Sequence, residues 1–474
     1  MLPRVDSRGP SSEPVAPPGE TGRGPQLFEL FARLLAPLLA GYLMFDRAFA
    51  YLHLPGLPLF VGEMVMTVGL LGALAATGYF LAPLNAEPIL ALLLVFAAWG
   101  GVRTVTGLGT YGMDAVRDSA LWYYSLFAFL TAAALARAPD FLDRLPAQIH
   151  RLLPWMLPWL SVALILAPEA SDGPFMPFST VSVLSHKPGN AAIAALLTLG
   201  CMWLFPEERS ARSRGWWSGV ALVAITVAST QNRGGMLGVV AGMAIGLVFV
   251  QRRLRLVLRA VLFMTVFLVL SSMLPFQLSA AGVQGREFSA SQLIANVVSL
   301  SGEDSPGNLG GTVDGREQLW SRILDKQIND GHLVDGSGFG PNLAADVGVY
   351  DAGEESLRSP HNSHLDIMAR MGLVGLFLWV VIWAGWYWRL VSGCRRLARE
   401  GLEGRRRFAV LSLMVTTAIL VSSLFDPQLE GPQIAVLLWT TFGVGVAVTS
   451  RSGWCRYESP WTPPVPRRGA RTEP

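Results

Sequence analysis

The sequence predicts an all-α polytopic membrane protein with about 12 transmembrane helices and one large extracytoplasmic loop between helices 9 and 10. Of the 474 residues, 51% are apolar and only 15% are charged, whereas soluble globular chains carry about 25% charged residues. Apolar windows of about 17 to 25 residues, long enough to cross a hydrocarbon core of roughly 30 Å, recur along almost the whole chain. Because lipid offers no hydrogen bonds to the backbone, these windows are expected to be helices.

The predicted spans alternate between two sides of the membrane. Their centres are Leu39, Leu70, Leu94, Phe127, Leu160, Leu196, Leu222, Ala244, Val266, Val380, Val415 and Val444. Cytoplasmic loops carry the excess of Lys and Arg, and each helix changes the side. The basic clusters follow this alternation when the N-terminus is cytoplasmic: Arg137 with Arg144, Arg209 with Arg212 and Arg214, Arg252 with Arg253 and Arg255, and Arg395 through Arg407. An even number of spans with both termini inside is therefore preferred.

Five segments follow from this topology. Residues 1–26, rich in Pro, Gly and Ser, are expected to form a disordered cytoplasmic tail, and residues 451–474 a second one. Helices 1–9 are expected within 27–274 and helices 10–12 within 365–450, and the extracytoplasmic loop occupies 275–364. The three cysteines are too few for a disulfide framework, and no disulfide is expected.

The large loop contains one clear secondary-structure signal. Asp314-Gly-Arg-Glu317 is a capping-box pattern that opens an amphipathic run through Ile328. The apolar side chains Leu319, Trp320, Ile323, Leu324 and Ile328 share one helical face. This pattern predicts a helix that lies on the membrane or roofs the bundle. The glycine-rich turn Gly336–Gly340 lacks a Lys-Ser/Thr ending and a preceding strand, so it is not a nucleotide phosphate loop.

The ionisable residues near the spans favour a one-sided active site. Under this topology they map to the extracytoplasmic helix ends: Glu63, Arg103, Arg117, Asp118, Lys187, Arg233, His361, Asp366, Arg370, Asp426 and Glu430. A secondary transporter is expected to place polar groups at the membrane midplane instead. The distribution therefore favours an enzyme whose site opens to the outer leaflet.

Two short polar connections are candidates for anion binding. Arg233 lies in Gln231-Asn-Arg-Gly-Gly235, on the face where arginine is disfavoured. It is either a snorkelling interfacial arginine or a guanidinium that binds a lipid-linked diphosphate. Lys187 lies in His186-Lys-Pro-Gly-Asn190, which is either a second basic entry to a helix or an ordinary helix N-terminus.

His361-Asn-Ser-His364 closes the large loop and leads into a span. The chain has only six histidines, and a neutral imidazole can accept a proton from a sugar hydroxyl. The alternative is that these residues only cap the helix. No carboxylate or cysteine partner accompanies the two histidines, so a metal site is not expected.

The residues Thr230-Gln-Asn-Arg-Gly-Gly235 and His361-Asn-Ser-His-Leu365 together resemble the O-antigen ligase and O-antigen polymerase superfamily. The similarity covers roughly residues 188–445 in order of elements, and Arg316 with Trp320 is similar to the family's Arg-x-x-x-Trp stretch. Asn232 stands where the family commonly has Ser.

The resemblance implies an integral bacterial inner-membrane glycosyltransferase that moves a glycan from undecaprenyl diphosphate to the hydroxyl of a glycan or glycolipid acceptor. The expected catalytic residues are His361 as general base, Arg233 on the diphosphate and Asn362 orienting the histidine or the sugar. Substrate binding is expected from Arg316, Lys187, Trp320 and His364. The expected partners are the lipid-linked donor, the acceptor and membrane lipid, with no cofactor, no metal and no nucleic acid. A transporter or flippase of the same glycan is the alternative function, and ligase and polymerase are not distinguished.

Overall fold

The computed structural model describes residues 23–56, 59–166, 173–206, 211–249, 289–298, 309–348, 358–455 and 457. Within these ranges the fold is all-helical, and only two isolated bridges, His53 with Phe60 and Phe175 with Ser182, join extended residues. The helices are α1 (Arg23–Ala50), α2 (Val61–Ala75), α3 (Thr77–Ala86), α4 (Pro88–Tyr111), α5 (Met113–Asp118), α6 (Ala120–Tyr123), α7 (Leu126–Arg137), α8 (Phe141–Leu166), α9 (Pro188–Leu204), α10 (Ala211–Gln231), α11 (Arg233–Phe249), α12 (Ala290–Val298), α13 (Leu309–Asn329), α14 (Ser363–Arg399), α15 (Glu403–Ser422) and α16 (Pro432–Val448).

The predicted helical class is confirmed, whereas the predicted number of spans is not. Eleven of the predicted span centres fall inside these helices, and Val266 lies outside the described residues. By length and composition, four described helices can cross a membrane, and up to six spans result if each of two bent pairs counts as one. Three shorter apolar helices, α9, α11 and α16, accompany them. The chain is therefore a membrane protein with four to six candidate spans among the described residues.

Aromatic rings and small residues pack the bundle. Trp383 of α14 stacks on Trp439 of α16 with ring centroids 5.7 Å apart, and the indole N–H of Trp386 donates to the carbonyl of Phe442 at 3.2 Å. A Cβ at Gly242 of α11 would lie 2.6 Å from a backbone carbonyl of α15. Glycine is needed there because lipid gives no hydrophobic drive to association, so helices in membranes associate through close backbone approach.

The hydrogen bonding of helix α14 is interrupted near its start, and the segment that contains the glycine-rich turn bonds to the backbone groups that are left free. Gly372 has φ 69° inside the helix, which removes several helical hydrogen bonds. The amide of Ser337 donates to the freed carbonyl of Ala369 at 2.8 Å, and the freed amide of Leu373 donates to Leu333 at 2.9 Å. Unpaired backbone groups are costly away from water, so the turn Gly336–Gly340 acts here as a structural partner of α14.

A methyl group at Gly336 is expected to destabilise the protein because the turn docks so closely on α14. Gly336 has φ 82°, and a Cβ there would overlap the backbone carbonyl of Arg370. Gly331 has a similar φ of 76° with open space around it, so Gly331→Ala carries only the backbone strain. We expect Gly336→Ala to lower the free energy of unfolding by more than about 1 kcal/mol beyond Gly331→Ala, as measured by thermal unfolding in detergent. Equal effects of the two substitutions would contradict the docking.

The predicted loop helix is present as α13, with two differences. It begins at Leu309, earlier than the capping-box pattern at Asp314 predicted. Leu319 and Ile323 are 1% exposed, as expected, but Ile328 is 57% exposed. Gln327 occupies the next buried position and donates to the Ser337 hydroxyl at 2.5 Å. The buried face therefore follows i, i+4, i+8 spacing and ends on the glycine-rich turn.

Candidate functional site

The turn before α11 is shaped by the side chain of Asn232. Its carbonyl oxygen accepts the amide N–H of Gly235, the usual bond of a helix N-cap. Its amide nitrogen donates to a carboxylate oxygen of Asp426 at 2.6 Å, which ties the turn to the segment after α15. Asn and Ser are about equally good N-caps. The departure from the Ser of the family pattern therefore preserves the position of Arg233, the first residue of the helix.

The start of α9 is fixed by Asp46, a residue that the sequence did not single out as part of the site. Asp46 is 2% exposed and has φ 43° and ψ −114°, a strained conformation for a residue other than glycine. Its carboxylate accepts the backbone N–H of Lys187 at 2.6 Å and the side-chain amide of Asn190 at 2.7 Å. Lys187 is therefore held at the N-terminus of α9 by the end of α1.

The N-termini of α9 and α11 lie side by side. A Cβ at Gly235 would be 2.7 Å from the Cα atom of Gly189, so the two backbones touch at these glycines. A helix N-terminus presents free N–H groups and a partial positive charge, which favours anions. Lys187 and Arg233 lie at these two N-termini and are both half-buried. The result is a concentrated positive region at one end of the bundle.

Helix α13 brings Arg316 and His361 to the same region. The indole N–H of Trp320 donates to the carbonyl of Pro360 at 2.8 Å, which anchors the residue before His361. Arg316 lies one turn before Trp320 on the same helix. The positive charge of Arg316 acts on both His361 and Arg233. Trp320 thus contacts the loop that carries the imidazole, although sequence reasoning expected it to bind substrate.

His361 is held in an unusual conformation and is neutral. Its φ of 54° is in the left-handed region, where a residue other than glycine is strained by about 1–3 kcal/mol. The pKa of its imidazole is lowered to about 4, mainly by burial and also by the positive charges of Arg316 and Lys187. The ring is therefore unprotonated at neutral pH and is available as a proton acceptor.

Asn362 and His364, which were also predicted as site residues, form hydrogen bonds within the protein. The Asn362 side-chain oxygen accepts the amides of His364 at 3.0 Å and Leu365 at 3.2 Å, so it caps α14. His364 accepts the indole N–H of Trp379 at 2.9 Å on one ring nitrogen, and its other nitrogen lies 2.9 Å from the carbonyl of Leu420. Both imidazole nitrogens of His364 are engaged inside the bundle, which argues against its expected contact with substrate.

A buried carboxyl completes the region. The pKa of Glu430 is raised to about 8, mainly by burial and also by the nearby Asp366 carboxylate, against the hydrogen bond from Ser359 and the charges of Arg370 and Lys187. Glu430 is therefore protonated at neutral pH and does not cancel the positive charge of the site. The sequence marked Glu430 only as one of several charges at this membrane face. Glu430 is far from His361 in the sequence, so its place in this region could not be predicted from the sequence.

An ion network holds the start of α14 in place. Arg370 is 2% exposed; it donates to Asp366 at 2.9 Å and lies 3.0 Å from the Asp118 carboxylate of α5. Arg358, before His361, lies 3.3 Å from the same carboxylate of Asp118. Buried charges of this kind are stable only when paired. Arg358, before His361, and Arg370, after it, thus both pair with Asp118 of α5.

No group of three His, Cys, Asp or Glu suited to hold a metal ion occurs within the part of the chain that the structure describes.

Comparison with known proteins agrees with the resemblance found in the sequence. Residues 218–380 match the family model described as O-Antigen ligase. The matched range contains Arg233, Arg316, Trp320 and His361, whereas Lys187 and Glu430 lie outside it. No curated protein matches the chain. The predicted resemblance to the O-antigen ligase and polymerase superfamily is confirmed over residues 218–380.

Proposed function

We propose that this protein, which carries an O-antigen ligase domain over residues 218–380, transfers a glycan from undecaprenyl diphosphate to an acceptor hydroxyl. One observation supports this most directly: a neutral imidazole at His361 lies beside positive charges and two helix N-termini. The positive groups suit a leaving diphosphate, and the imidazole suits activation of a hydroxyl.

Arg233, Arg316 and Lys187 bind the donor diphosphate. Arg316 acts electrostatically on both Arg233 and His361, so the two guanidinium groups and the imidazole belong to one charged region that suits an anion. The planar fork of arginine matches phosphate oxygens, and the N-termini of α9 and α11 add backbone donors. The protonated Glu430 adds no negative charge to this region.

The transfer step uses the neutral imidazole as general base. His361 accepts the proton of the acceptor hydroxyl while the hydroxyl oxygen forms a bond to the anomeric carbon of the glycan. The bond between that carbon and the diphosphate oxygen breaks, and its electron pair leaves with undecaprenyl diphosphate. The arginines stabilise the negative charge that grows on the leaving group. Trp320 and Asn362 position the imidazole through Pro360 and the start of α14.

The proposal places the site at the extracytoplasmic surface of a bacterial inner membrane. The residues concerned lie at the starts of α9, α11 and α14 and at the end of α10, hence at one end of the bundle. The positive-inside distribution of Lys and Arg supports the extracytoplasmic assignment of this end.

Transfer can be tested with purified protein in liposomes that contain an undecaprenyl-diphosphate-linked glycan and an acceptor glycolipid. We expect a new glycosidic bond, detected by mass spectrometry, together with release of undecaprenyl diphosphate. Passage of labelled glycan across the bilayer without a new bond would instead show a flippase and contradict the proposal. A chain of repeats as the product identifies a polymerase, and a single attachment identifies a ligase.

A further inference from the structure

A cavity lies at the end of the bundle away from His361. Helix α14 begins next to His361 and ends at Arg399, and from Leu373 onward it is about 40 Å long at 1.5 Å per residue. That length matches the thickness of a bilayer with its headgroups, about 40–45 Å. Beside the last turns of α14 the cavity has a volume of about 510 Å³. Its lining includes Glu87, Trp388, Arg389, Ser392, Arg396 and Arg451.

One arginine of this cavity is neutralised. Arg389 lies 2.6 Å from the carboxylate of Glu87, which is itself 3% exposed, and donates to the Thr449 hydroxyl at 3.1 Å. Glu87 also accepts the indole N–H of Trp454 at 3.1 Å. The ion pair of Arg389 and Glu87 therefore joins α14 to the start of α4 and adds no net charge to the cavity.

The other two arginines give the cavity an excess of positive charge. Arg396 donates to the carbonyl of Thr449 at 2.8 Å, which fixes its guanidinium, and its nearest carboxylate among the described residues, Glu400, is 3.8 Å away and exposed. Arg451 is exposed at the same cavity. Ser392 and Ser452 also line the cavity. A guanidinium held in place loses little freedom when it binds a phosphate.

The cavity has an aromatic side chain of the kind that is found at a lipid–water boundary. Trp388 lines it and is 79% exposed, and tryptophan is enriched at membrane interfaces, where its ring lies at headgroup level. An apolar ring beside two guanidinium groups favours a ligand with both a phosphate and acyl chains over a soluble anion. Basic pockets between spanning helices bind anionic headgroups by this chemistry.

We propose that this cavity binds the phosphate of an anionic phospholipid, with Arg396 and Arg451 as its cationic ligands and Trp388 against the acyl chains. The site is separate from the glycan-transfer site, and it stands whether or not the proposed function is correct. Its occupant would anchor the ends of α4, α14 and α16 to one leaflet. Under the positive-inside assignment this is the cytoplasmic leaflet.

The test measures lipid retained by the full chain, purified in detergent with phosphatidylglycerol or phosphatidylcholine added, by native mass spectrometry. Wild type is expected to retain one phosphatidylglycerol in preference to phosphatidylcholine. Each of Arg396→Gln and Arg451→Gln is expected to weaken phosphatidylglycerol binding about fivefold, since one basic residue near anionic lipid contributes about a factor of this size. Arg395→Gln is the matched control, because Arg395 is exposed on the same helix end and does not line the cavity.

Three results would overturn the proposal. The first is equal retention of both lipids by wild type, and the second is an equal loss of binding in the Arg395→Gln control. The third is full displacement of phosphatidylglycerol by the same concentration of glycerol phosphate, which would show a site for a free phosphate. Arg451 is exposed, so Arg451→Gln keeps the test valid even if Arg396→Gln fails to fold.

Discussion

Replacing His361 with alanine is expected to reduce the rate of glycan transfer by about 10²–10⁴, the usual contribution of a general base. The substitution removes the imidazole that, in the proposed mechanism, accepts the proton of the acceptor hydroxyl. It leaves the cations at Lys187, Arg233 and Arg316 in place, so donor binding should persist. Transfer is measured in liposomes by product formation, and donor retention is measured separately on the same preparation. Full activity of His361→Ala would remove the base from the proposal.

His332→Ala is the matched control for this substitution. His332 lies in the same connection outside the helices and is exposed, with a long 3.6 Å contact to Asp335. Its loss is expected to leave transfer unchanged. If both variants lose activity equally, the effect comes from disturbance of the loop and not from the chemistry of one imidazole.

The pH dependence separates a base from a merely structural histidine. The pKa of His361 is lowered to about 4 by burial and by the positive charges of Arg316 and Lys187. A base is active when unprotonated, so kcat/KM should hold below the ordinary histidine pKa of about 6.5 and fall only as the pH approaches about 4. Arg316→Gln removes one repelling charge, raises the pKa of His361 and should move this acid limb to higher pH. Arg322→Gln, an exposed position on the same helix, should not move it.

Hydropathy and charge predicted the helical class because both are local properties of the sequence. Windows around Leu94 and Val380 contain enough apolar residues to reveal spans directly. The break at Gly372 was not predictable in this way, because it depends on the distant turn Gly336–Gly340 that supplies its missing hydrogen bonds. Likewise, the apolar pattern predicted that Ile328 is buried. Gln327 takes the buried position instead, because it donates to Ser337 of the distant glycine-rich turn.

Candidate site residues could be recognised in the sequence where an uncommon residue type also has a chemistry that suits the proposed reaction. Arg233 and His361 are uncommon residue types at these positions, and each suits one half of the proposed reaction. The roles of Asp46 and Glu430 depend on contacts between helices that are far apart in sequence. His364 shows the opposite case, since its motif suggested substrate contact whereas its ring nitrogens are engaged by Trp379 and Leu420. Composition cannot distinguish a ring that faces a cavity from one that faces the bundle.

Replacing either of the two arginines proposed to bind the diphosphate is expected to reduce kcat/KM by about 10²–10³, as for the loss of one preorganised group that stabilises a leaving anion. Arg233→Gln and Arg316→Gln act on the same diphosphate, so the double variant should lose less than the product of the two single effects. Arg233→Lys should recover only part of the activity, because an ammonium keeps the charge but loses the bidentate geometry.

A second readout separates ligand binding from folding. In the absence of substrate the charges of Arg233 and Arg316 repel each other, so Arg316→Gln should not lower the thermal unfolding midpoint. Inorganic pyrophosphate should raise that midpoint in wild type, because a ligand bound only to the folded state stabilises it by about 2.7 kcal/mol at 100 times its Kd. The increase should be much smaller in Arg316→Gln and unchanged in Arg322→Gln. If pyrophosphate stabilises all three proteins equally, the anion binds elsewhere, and the paired guanidinium groups must have another role.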